Sequence, residues 1–539
     1  MAQTETQDRG YAVGVQEFDR IRESGAVYVD KTEYVYKMVT TKAVNFFLCR
    51  PRRFGKSLMV DTLRCYFEGR KELFEGLYIY DKEKEWKKHP VIRIDLSSGK
   101  YYEKERLHGT LNGILRRIEE DWGLKAIDEY NYDDRLSNLI KAAYSQTGEK
   151  VVVLIDEYDA PMLDSMHQPE LQDYIRNRVR NLFSPLKAQS QYLRFVFLTG
   201  ISKFSQLSVF SELNNLQQLT FDPQYEGICG ITEHELLTQM KPDIELLTEK
   251  LVEFGNQYDL FFDYDTVVAK LKYWYDGYHF SDRMTDIYCP WSLINAFAMG
   301  RIMNFWFSTG TPTSLINILR TRTDISLVEL EGYSAKLSRF DAPTERITDP
   351  IPALYQSGYL TLKGYDGRRD IWTLGFPNEE VREGFAECLY KYYMEDYVGS
   401  CDALGIAFND LRFEDKTFEQ FVEVIRKWYA GIPYSITDKN QNEQLYQSLL
   451  YAAFLAVGAD ISAEDQTSDG RMDIALKVPH GIYILELKYG KTAAEATDQI
   501  IAKDYAVRFA ADPRPVWAVG LNISQDRRTI DGCKIVRVK

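Results

Sequence analysis

Four short runs of apolar residues stand out in the first 200 positions of the chain. They are VNFFLC at 44–49, VIRIDL at 91–96, VVVLID at 151–156 and RFVFLT at 194–199. Long stretches with helical spacing separate them. Apolar runs without alternation are typical of strands that are covered on both faces, as in a parallel sheet flanked by helices. The pattern therefore predicts an α/β domain over residues 1–225.

The pattern changes in the middle of the chain, where strand-like runs become rare. EHELLTQM at 233–240 and IELLTEKLVEFGNQY at 244–258 carry apolar residues at the spacing of amphipathic helices. We expect the region 226–430 to be mainly helical. It also contains GYLTLKGYDGRRDIWTLGF, two strand-like runs around Asp366-Gly367, after the helix-like PALYQS. This hairpin resembles the wing of a winged-helix fold, and a hairpin that only packs against its neighbours is the alternative.

A third unit, residues 431–539, alternates helices and strands in a compact order. The predicted elements are a helix at 443–457, strands near 461–466, 471–478 and 481–488, a helix at 493–510, and strands at 514–521 and 533–538. Because this order is self-contained, we expect a separate α/β domain.

Composition narrows the class of protein. The 539 residues include 66 Lys and Arg against 80 Asp and Glu, a net charge of −14, and 45% are hydrophobic. Such a chain buries hydrophobic cores, which excludes wholesale disorder, and its apolar runs are too short for a membrane helix. The first ten residues lack the features of a secretory signal, so we expect a cytoplasmic protein without membrane contacts. The acidic balance argues against a protein that coats nucleic acid, but it allows a local basic groove.

The cysteines are scattered and the histidines are few, which limits the kinds of metal site that the chain can form. Seven Cys occur without a CxxC spacing, and six His occur without an HExxH motif. Neither a disulfide framework nor a Cys or His zinc site is indicated. Any metal ion must therefore be held by carboxylates.

A candidate phosphate-binding loop follows the first apolar run. Residues 50–57 read RPRRFGKS and lead into the helical SLMVDTLRCYF. In a Walker A loop, GxxxxGK[ST], backbone N–H groups surround the phosphates, the Lys contacts them and the hydroxyl binds Mg²⁺. We therefore expect Lys56 to bind phosphate and Ser57 to bind Mg²⁺. Arg50 stands where the first Gly belongs, which predicts a differently shaped loop.

Polar residues at the ends of two later apolar runs add to the candidate phosphate-binding loop and complete a first group of candidate site residues. VVVLIDEYD places Asp156 and Glu157 at a strand end, where a Walker B Asp holds Mg²⁺ and the next Glu orients the attacking water. Thr199 ends the following run and is suited to sense the γ-phosphate. Open α/β sheets bind ligands at that end of their strands. The predicted nucleotide-binding residues are Arg50, Arg52, Arg53, Phe54, Gly55, Lys56, Ser57, Asp156 and Thr199.

A second polar constellation lies in the third unit. GRMDIALKVPHGIYILELKYG places Asp473 on one strand and Glu486-Leu487-Lys488 on the next. Adjacent antiparallel strands would bring Asp473 and Glu486 together, and residues two apart on a strand share a face. Carboxylates and a backbone carbonyl suit Mg²⁺, and Lys488 can stabilise charge on phosphorus, as metal-assisted phosphodiester hydrolysis requires. An exposed charged strand face is the alternative.

Further polar residues favour a metal site there. Glu443 opens the preceding helix, Glu464 lies on the first strand and Gln499 on the following helix. Mg²⁺ is the expected cation, with Mn²⁺ as a second candidate in the third unit. The predicted metal ligands of the whole chain are Ser57, Asp156, Glu443, Asp473, Glu486 and Leu487. The predicted catalytic residues are Glu157, Asp473, Glu486 and Lys488.

These segments resemble bacterial and archaeal AAA-ATPase-like proteins that carry a C-terminal PD-(D/E)xK nuclease-superfamily domain. The N-terminal likeness rests on YVDKT, FLCRPRRFGKSL, PVIRIDLS, LIDEYDAP, LTGISKFS, FSELNNL, GITEHEL, WYDGYHF and CPWSL. The C-terminal likeness rests on NEQLYQSLLYAAF, GRMDIAL, IYILELKYG and DQIIAKDYA. The resemblance implies a P-loop NTPase-like parallel sheet, a restriction-endonuclease-like α/β domain, and Arg in place of the first Walker A Gly as a family trait. The site residues that it implies are Lys56, Ser57, Asp156 and Glu157 for the nucleotide, and Glu443, Asp473, Glu486 and Lys488 for the nuclease.

The expected function combines the two constellations. We expect a protein that binds and hydrolyses ATP, coupled to a Mg²⁺-dependent nuclease that acts on DNA in preference to RNA, in defence against foreign DNA or the processing of mobile elements. Nucleotide occupancy would move the middle region and so license the C-terminal site. The alternative is a nucleotide-dependent binding or signalling switch with a catalytically weak nuclease-like domain. The acidic balance and the altered loop favour that alternative, and Gln447, where the family often has His, would weaken cleavage. A homo-oligomer and a protein partner both stay open.

Overall fold

The computed structural model divides the chain into two compact units, each described by itself. The first comprises Met1–Phe305 and Ser334–Thr373, and the second comprises Trp306–Tyr333 and Leu374–Lys539. The residues described are 10–125, 128–165, 168–202, 216–258, 260–309, 330–342, 349–393, 400–432, 443–462, 474–526 and 529–539. Within these ranges, no helix combines the length and apolar character that crossing a membrane requires.

A five-stranded parallel sheet forms the centre of the first unit. Its strands are β1 (Asn45–Cys49), β2 (Val91–Asp95), β3 (Val151–Asp156), β4 (Leu193–Gly200) and β5 (Leu216–Gln218). They lie in the order β2-β3-β4-β1-β5, and every pairing is parallel. All residues of β3 are buried, as its unbroken apolar run predicts. The predicted α/β fold of this part is confirmed.

Nine described α-helices accompany this sheet, and those at 56–67, 104–121 and 132–147 pack directly on its strands. The nine are α1 (Phe18–Ser24), α2 (Thr32–Thr40), α3 (Lys56–Phe67), α4 (Tyr78–Lys82), α5 (Lys104–Asp121), α6 (Tyr132–Thr147), α7 (Ala160–Asp164), α8 (Pro169–Phe183) and α9 (Pro185–Ala188). α5 buries Leu107, Leu111 and Leu115, which lie four residues apart on one helix face. A buried ion pair between Arg135 and Glu119, 2.8 Å long, joins α6 to α5. This packing fixes the strands and hence the positions of their ends.

The rest of the first unit is mainly helical, as predicted. Its elements are β6 (Ile231–Thr232), α10 (Glu233–Gln239), α11 (Lys241–Tyr258), α12 (Tyr264–Tyr275), β7 (Ile287–Tyr288), α13 (Pro290–Met299), β8 (Tyr333–Ala335), α14 (Leu337–Phe340), α15 (Ile351–Gln356), β9 (Thr361–Asp366) and β10 (Ile371–Gly375). The first residue of β8 and the last two of β10 belong to the residue ranges of the second unit. β9 and β10 form the predicted hairpin, closed by a 3.2 Å bond from Arg369 N–H to Asp366 O. The wing-like role of this hairpin stays a prediction.

The second unit joins helices to a five-stranded mixed sheet. Its elements are α16 (Glu379–Tyr393), α17 (Ser400–Arg412), α18 (Phe418–Ala430), α19 (Glu443–Ala456), β11 (Asp460–Ser462), β12 (Ile474–Val478), β13 (Gly481–Tyr489), α20 (Ala493–Ala502), β14 (Val516–Ile523) and β15 (Ile530–Arg537). The strands follow each other in chain order, and β13 and β14 pair in parallel whereas the other pairs are antiparallel. The predicted C-terminal α/β fold is confirmed.

The helix predicted at 493–510 is wrong in its second half. α20 ends at Ala502, and Asp504 has a left-handed φ of 48°. A left-handed residue cannot continue a right-handed helix. A separate 3-10 turn, Tyr505–Phe509, buries Tyr505 and Phe509 in the same core, which explains the helix-like apolar spacing.

Candidate functional site

The predicted phosphate-binding loop connects β1 to the first turn of α3. Arg53 and Gly55 have left-handed φ values of 69° and 87°, and Gly55 N-caps α3, which begins at Lys56. Unsatisfied N–H groups and the helix dipole make such a helix start an anion-binding position. The loop therefore has the backbone geometry that phosphate binding needs.

Arg50 is directed away from this role. Its side chain is 1% exposed, and its guanidinium donates to the carbonyl oxygens of Cys49, Thr220, Tyr225 and Glu226 at 3.0, 2.9, 3.1 and 3.4 Å. These bonds occupy its two terminal nitrogens. The geometry does not support the predicted contact between the Arg50 side chain and a nucleotide.

The neighbouring loop side chains hold the loop in place. Arg53 donates to Phe305 O at 2.7 Å and lies over the Trp291 ring. Phe54 is buried, and its carbonyl accepts a 3.1 Å bond from Gly230 N–H. Arg52 is exposed. For Arg52, Arg53, Phe54 and Gly55, the predicted nucleotide contacts stay predictions, and backbone N–H groups are the most suitable donors.

Lys56 lies inside the site, paired with a carboxylate. Its ammonium is 3.3 Å from Glu157 Oε1 and donates to Pro51 O at 3.2 Å. Burial alone would lower the pKa of Lys56, but the carboxylates of Glu157, Asp156 and Asp159 raise it above its ordinary value. Lys56 is therefore a cation, and a phosphate must compete with Glu157 for it.

Ser57 and Asp156 meet at the end of β3. The Ser57 hydroxyl donates to the Asp156 carboxylate, which is 1% exposed. Burial raises the pKa of Asp156 to about 6, and the bond from Ser57 opposes that rise. Glu157 follows with a left-handed φ of 50°, and its N–H donates to Asp156 Oδ1 at 3.0 Å. A hydroxyl and a carboxylate side by side are oxygen donors that suit Mg²⁺.

Thr199 completes the group at the strand ends. β4, which carries Thr199, lies between β1 and β3 in the sheet. The Thr199 hydroxyl is buried and has no hydrogen-bond partner among the residues that the structure describes. Buried hydroxyls are rarely left unpaired, so this atom fits a site that receives a polar ligand.

Sequence reasoning missed Asp159, which fixes the chain just after Thr199. Its carboxylate accepts bonds from the N–H groups of Ile201 and Ser202 at 3.0 and 2.6 Å. A Cβ at Gly200 would lie 2.3 Å from Asp159 Oδ1, so this close approach requires glycine. The motif LIDEYDAP contains the residue, but only the fold shows its partners.

An apolar cavity beside the loop was also missed. The space in it, counted together with the open solvent at its mouth, is about 750 Å³. Gly55, Leu58, Met59 and Thr62, on one face of α3, form one wall, and residues of the segments 11–31 and 228–231 form others. The segments are far apart in sequence, so no local pattern reveals the cavity. The likeness motifs YVDKT and GITEHEL were the available signal.

A buried ion pair closes part of this cavity. Lys31, which lines it, donates to both carboxylate oxygens of Glu235 at 2.7 and 2.6 Å. Glu235 also forms the capping box of α10 with Thr232. The pair therefore ties the N-terminal segment to the helical region of the first unit.

The second constellation assembles on β13 of the second unit. Lys488 donates to Glu486 at 3.0 Å and to Glu443, at the start of α19, at 3.1 Å. Gln499 of α20 donates to Glu486. Burial alone would lower the pKa of Lys488, but Glu486 and Glu443 raise it. The fold thus brings together four of the polar residues that the sequence indicated.

The metal ligands of this site are only partly described. Asp473 and Glu464 lie outside the described residues. The register opposes Ile474, the residue after Asp473, to Leu485, the residue before Glu486. Within the described ranges, no three His, Cys, Asp or Glu side chains gather as a metal site. Glu443 and Glu486 supply oxygen donors of the right kind for Mg²⁺ or Mn²⁺, and the ligand role of Leu487 stays a prediction.

Comparisons with known proteins match both parts of the chain. Residues 12–210 match the model of a predicted AAA-ATPase, and residues 441–532 match the model of the PD-(D/E)XK nuclease superfamily. An uncharacterized protein in the vnfD 5′ region of Azotobacter chroococcum mcd 1 is 33% identical over 533 residues, which cover 96% of this chain and 97% of that protein. The solved structure of ORC2 from Aeropyrum pernix, in ADPNP and ADP complexes, covers 69% of this chain and 93% of its own length, at 13% identity and a TM-score of 0.24. That score is too low for the likeness to carry an argument.

Proposed function

Because this chain belongs to the family of predicted AAA-ATPases with a C-terminal PD-(D/E)XK nuclease superfamily domain, we propose that it is a Mg²⁺-dependent ATPase coupled to a nuclease that acts on DNA. The first unit would bind and hydrolyse ATP, and the second would cut the phosphodiester backbone. Each activity rests on its own group of residues and has its own test.

One observation carries the ATPase proposal, namely that polar side chains of α3 and of the ends of β3 and β4 gather at one edge of the sheet. Ser57 is bonded to Asp156, Lys56 lies beside Glu157, and the buried Thr199 hydroxyl has no partner in the described part of the chain. A hydroxyl buried in this way costs free energy unless a ligand accepts its bond. A γ-phosphate oxygen is an acceptor of the right kind, and the adjacent cation and oxygen donors suit the rest of a magnesium triphosphate.

The proposed roles follow from these positions. Lys56 and the N–H groups at the start of α3 hold the phosphates, and Ser57 and Asp156 are the proposed Mg²⁺ ligands. Bound Mg²⁺ would neutralise charge on the phosphate oxygens. Glu157, once phosphate has displaced it from Lys56, accepts a hydrogen bond from the attacking water. Thr199 donates to the γ-phosphate.

The apolar cavity is the proposed position of the base. It begins at Gly55 of the loop, so a nucleotide whose phosphates lie at the start of α3 would direct its base along Leu58 and Met59. Apolar walls with a few polar groups are typical of small-molecule sites. The apolar lining of the cavity and its place next to the loop support this arrangement.

Calorimetric titration of MgATP tests the nucleotide site. We expect wild-type protein to bind and Lys56→Ala to lose at least tenfold in affinity. Thr199→Val should weaken ATP more than ADP, because only ATP carries the γ-phosphate. Arg116→Gln, which removes an exposed ion pair between α5 and Glu129, is the matched control and should bind like wild type. Equal binding by wild type and Lys56→Ala would exclude this site.

The nuclease proposal rests on the group around Lys488. Glu486 is 1% exposed, and Lys488 and Gln499 both bond its carboxylate, which fixes its direction. We propose that Glu443, Asp473 and Glu486 hold a divalent cation, which would activate water for attack on phosphorus. Lys488 stabilises the negative charge that develops on the phosphate oxygens.

Cleavage assays on supercoiled plasmid, linear duplex, single-stranded DNA and RNA test the nuclease. We expect DNA cleavage that requires Mg²⁺ or Mn²⁺ and is lost in Glu486→Gln. Glu423→Gln, which removes a partly exposed ion pair on α18, is the control and should cut like wild type. Cleavage that persists in Glu486→Gln would come from a contaminant or another site and would refute this site as the nuclease centre. Cleavage of RNA alone would contradict the proposal that DNA is the substrate.

Coupling between the units is the third part of the proposal. ATP should stimulate DNA cleavage by wild type and not by Lys56→Ala. A nuclease under nucleotide control suits defence against foreign DNA or the processing of mobile elements. Full cleavage without ATP in both proteins would refute the coupling and leave each separate activity intact.

A nucleotide-dependent switch is the second candidate. The observation in its favour is that the Lys488 ammonium lies within 3.1 Å of both Glu443 and Glu486, where a cation would bind. Gln447, where the family often has His, also favours the switch. Mn²⁺ titration separates the two candidates. Binding that Glu486→Gln abolishes favours the enzyme, and no binding by wild type favours the switch.

A further inference from the structure

The most unusual residue of the loop has a specific structural role. A guanidinium carries five N–H groups in a fixed plane. Arg50 places four of them on backbone carbonyls, those of Cys49, Thr220, Tyr225 and Glu226. The guanidinium carbon also lies 4.0 Å from the centre of the Phe280 ring, a cation–π distance. One buried side chain therefore connects the start of the loop to two other segments, 220–226 and the segment that contains Phe280.

No shorter or simpler side chain can make these contacts. A buried charge is costly unless its hydrogen bonds are made, and here carbonyl dipoles and an aromatic face surround it. Lysine has three donors from one nitrogen and lacks the planar fork. Glycine would leave the carbonyls of Thr220 and Tyr225 without this donor. The segment 220–226 would then lose its side-chain bonds to the loop and keep the bond from Cys49 N–H to Thr220 Oγ1.

The other end of the loop contacts the same neighbours. The Phe54 ring packs edge-on against Tyr278 and Phe280, with centroids 4.7 and 5.6 Å apart. The segment 278–280 is itself anchored, since His279 N–H donates to Thr361 Oγ1 at 2.9 Å. Arg50 and Phe54 thus hold the two ends of the loop against one fixed segment.

We propose that Arg50 is a positioning residue that sets the shape of the phosphate-binding loop and thereby its affinity for ATP. A side-chain clamp takes over what the first glycine of a standard Walker A loop achieves through backbone freedom. The left-handed positions of this loop are Arg53 and Gly55, so the loop reaches its shape without a glycine at position 50. This inference rests on the proposed nucleotide site.

Arg50→Gly is the decisive variant, because it restores the Walker A consensus. If the motif alone determined binding, this variant would bind MgATP at least as tightly as wild type. The clamp predicts the opposite, an affinity at least tenfold weaker. Arg50→Met keeps the bulk but loses the donors, and Arg50→Lys keeps the charge but loses the fork, so both should also bind weakly. Wild-type affinity in Arg50→Gly would overturn the proposal.

A matched control separates positioning from general stability. Arg194→Met removes a 2.9 Å bond to Val39 O elsewhere on the same sheet. We expect it to lower the melting temperature while MgATP affinity stays at the wild-type value. An equal loss of affinity in Arg194→Met and Arg50→Gly would overturn positioning as the cause. Should the Arg50 variants fail to fold, Phe280→Leu removes the aromatic face, and unchanged affinity in that variant would overturn the proposal.

Lys56→Ala distinguishes this inference from the nucleotide proposal. If wild type binds MgATP, Lys56→Ala does not, and Arg50→Gly binds like wild type, the nucleotide site stands and the clamp is refuted. If wild type does not bind MgATP, both proposals are refuted.

Discussion

Replacing Glu157 with glutamine should tighten ATP binding and stop hydrolysis. In the structure the Glu157 carboxylate holds the Lys56 ammonium at 3.3 Å, in the place where a phosphate would bind. Glutamine keeps the shape and removes the charge. Lys56 then becomes available to phosphate, but the attacking water loses its acceptor.

The size of the effect follows from the ion pair. Two unit charges 3.3 Å apart attract by about 5 kcal/mol at an effective dielectric constant of about 20. Substitution removes this attraction, but only part of it becomes a gain for phosphate, because Asp156 and Asp159 still attract Lys56 and because hydration of the free groups offsets part of the pair's energy. We expect a net gain of about 1.4 kcal/mol, which is about tenfold in affinity.

Fluorescent-nucleotide titration and phosphate release measure the two effects. Glu119→Gln, which breaks the buried pair with Arg135, is the control. It should lower stability and leave ATP affinity unchanged. Weaker ATP binding by Glu157→Gln, or hydrolysis at the wild-type rate, would refute the assignment of Glu157.

Three further predictions concern other parts of the chain. Because burial raises the pKa of Asp156 to about 6, lowering the pH from about 7.5 to 5.5 protonates roughly three-quarters of it and should weaken MgATP binding about fourfold. The MgATP affinity of Asp156→Asn should depend less on pH than that of wild type, and an equal pH dependence in the two proteins would contradict this. Glu235→Gln leaves Lys31 buried without its partner and should lower the free energy of unfolding in urea by about 3 kcal/mol, whereas a loss below about 1 kcal/mol would contradict a stabilising pair. Gln499→Leu removes the amide bond to the Glu486 carboxylate and leaves the Lys488 bond. It should slow DNA cleavage about tenfold without weakening DNA binding by gel shift, so an unchanged rate would contradict a positioning role of Gln499.

The sequence predicted four of the five strands of the first sheet, and the polar residues at their ends, for a physical reason. A buried parallel strand needs an unbroken apolar run, and the first polar residues after it mark the sheet edge. Asp156 and Thr199 were placed correctly by that rule alone. The two family matches also confirm the resemblance drawn from the motifs.

The sequence pattern could not predict the directions of side chains or the contacts between residues far apart in the chain. Arg50 occupies a motif position, which says nothing about its bonds to Thr220 and Tyr225, some 170 residues away. The cavity beside α3 could not be predicted for the same reason, since its walls come from segments that are far apart in the sequence. The end of α20 was misjudged because Tyr505 and Phe509 keep helical spacing across the left-handed Asp504.

A crystal structure grown with Mn²⁺ and a non-hydrolysable ATP analogue tests the central claim most directly. The account predicts an anomalous peak within coordination distance of Ser57 Oγ and close to Asp156, with the γ-phosphate bonded to Lys56 and Thr199 and Glu157 released from Lys56. A nucleotide bound elsewhere, or an intact Lys56–Glu157 pair beside an ordered triphosphate, would contradict it.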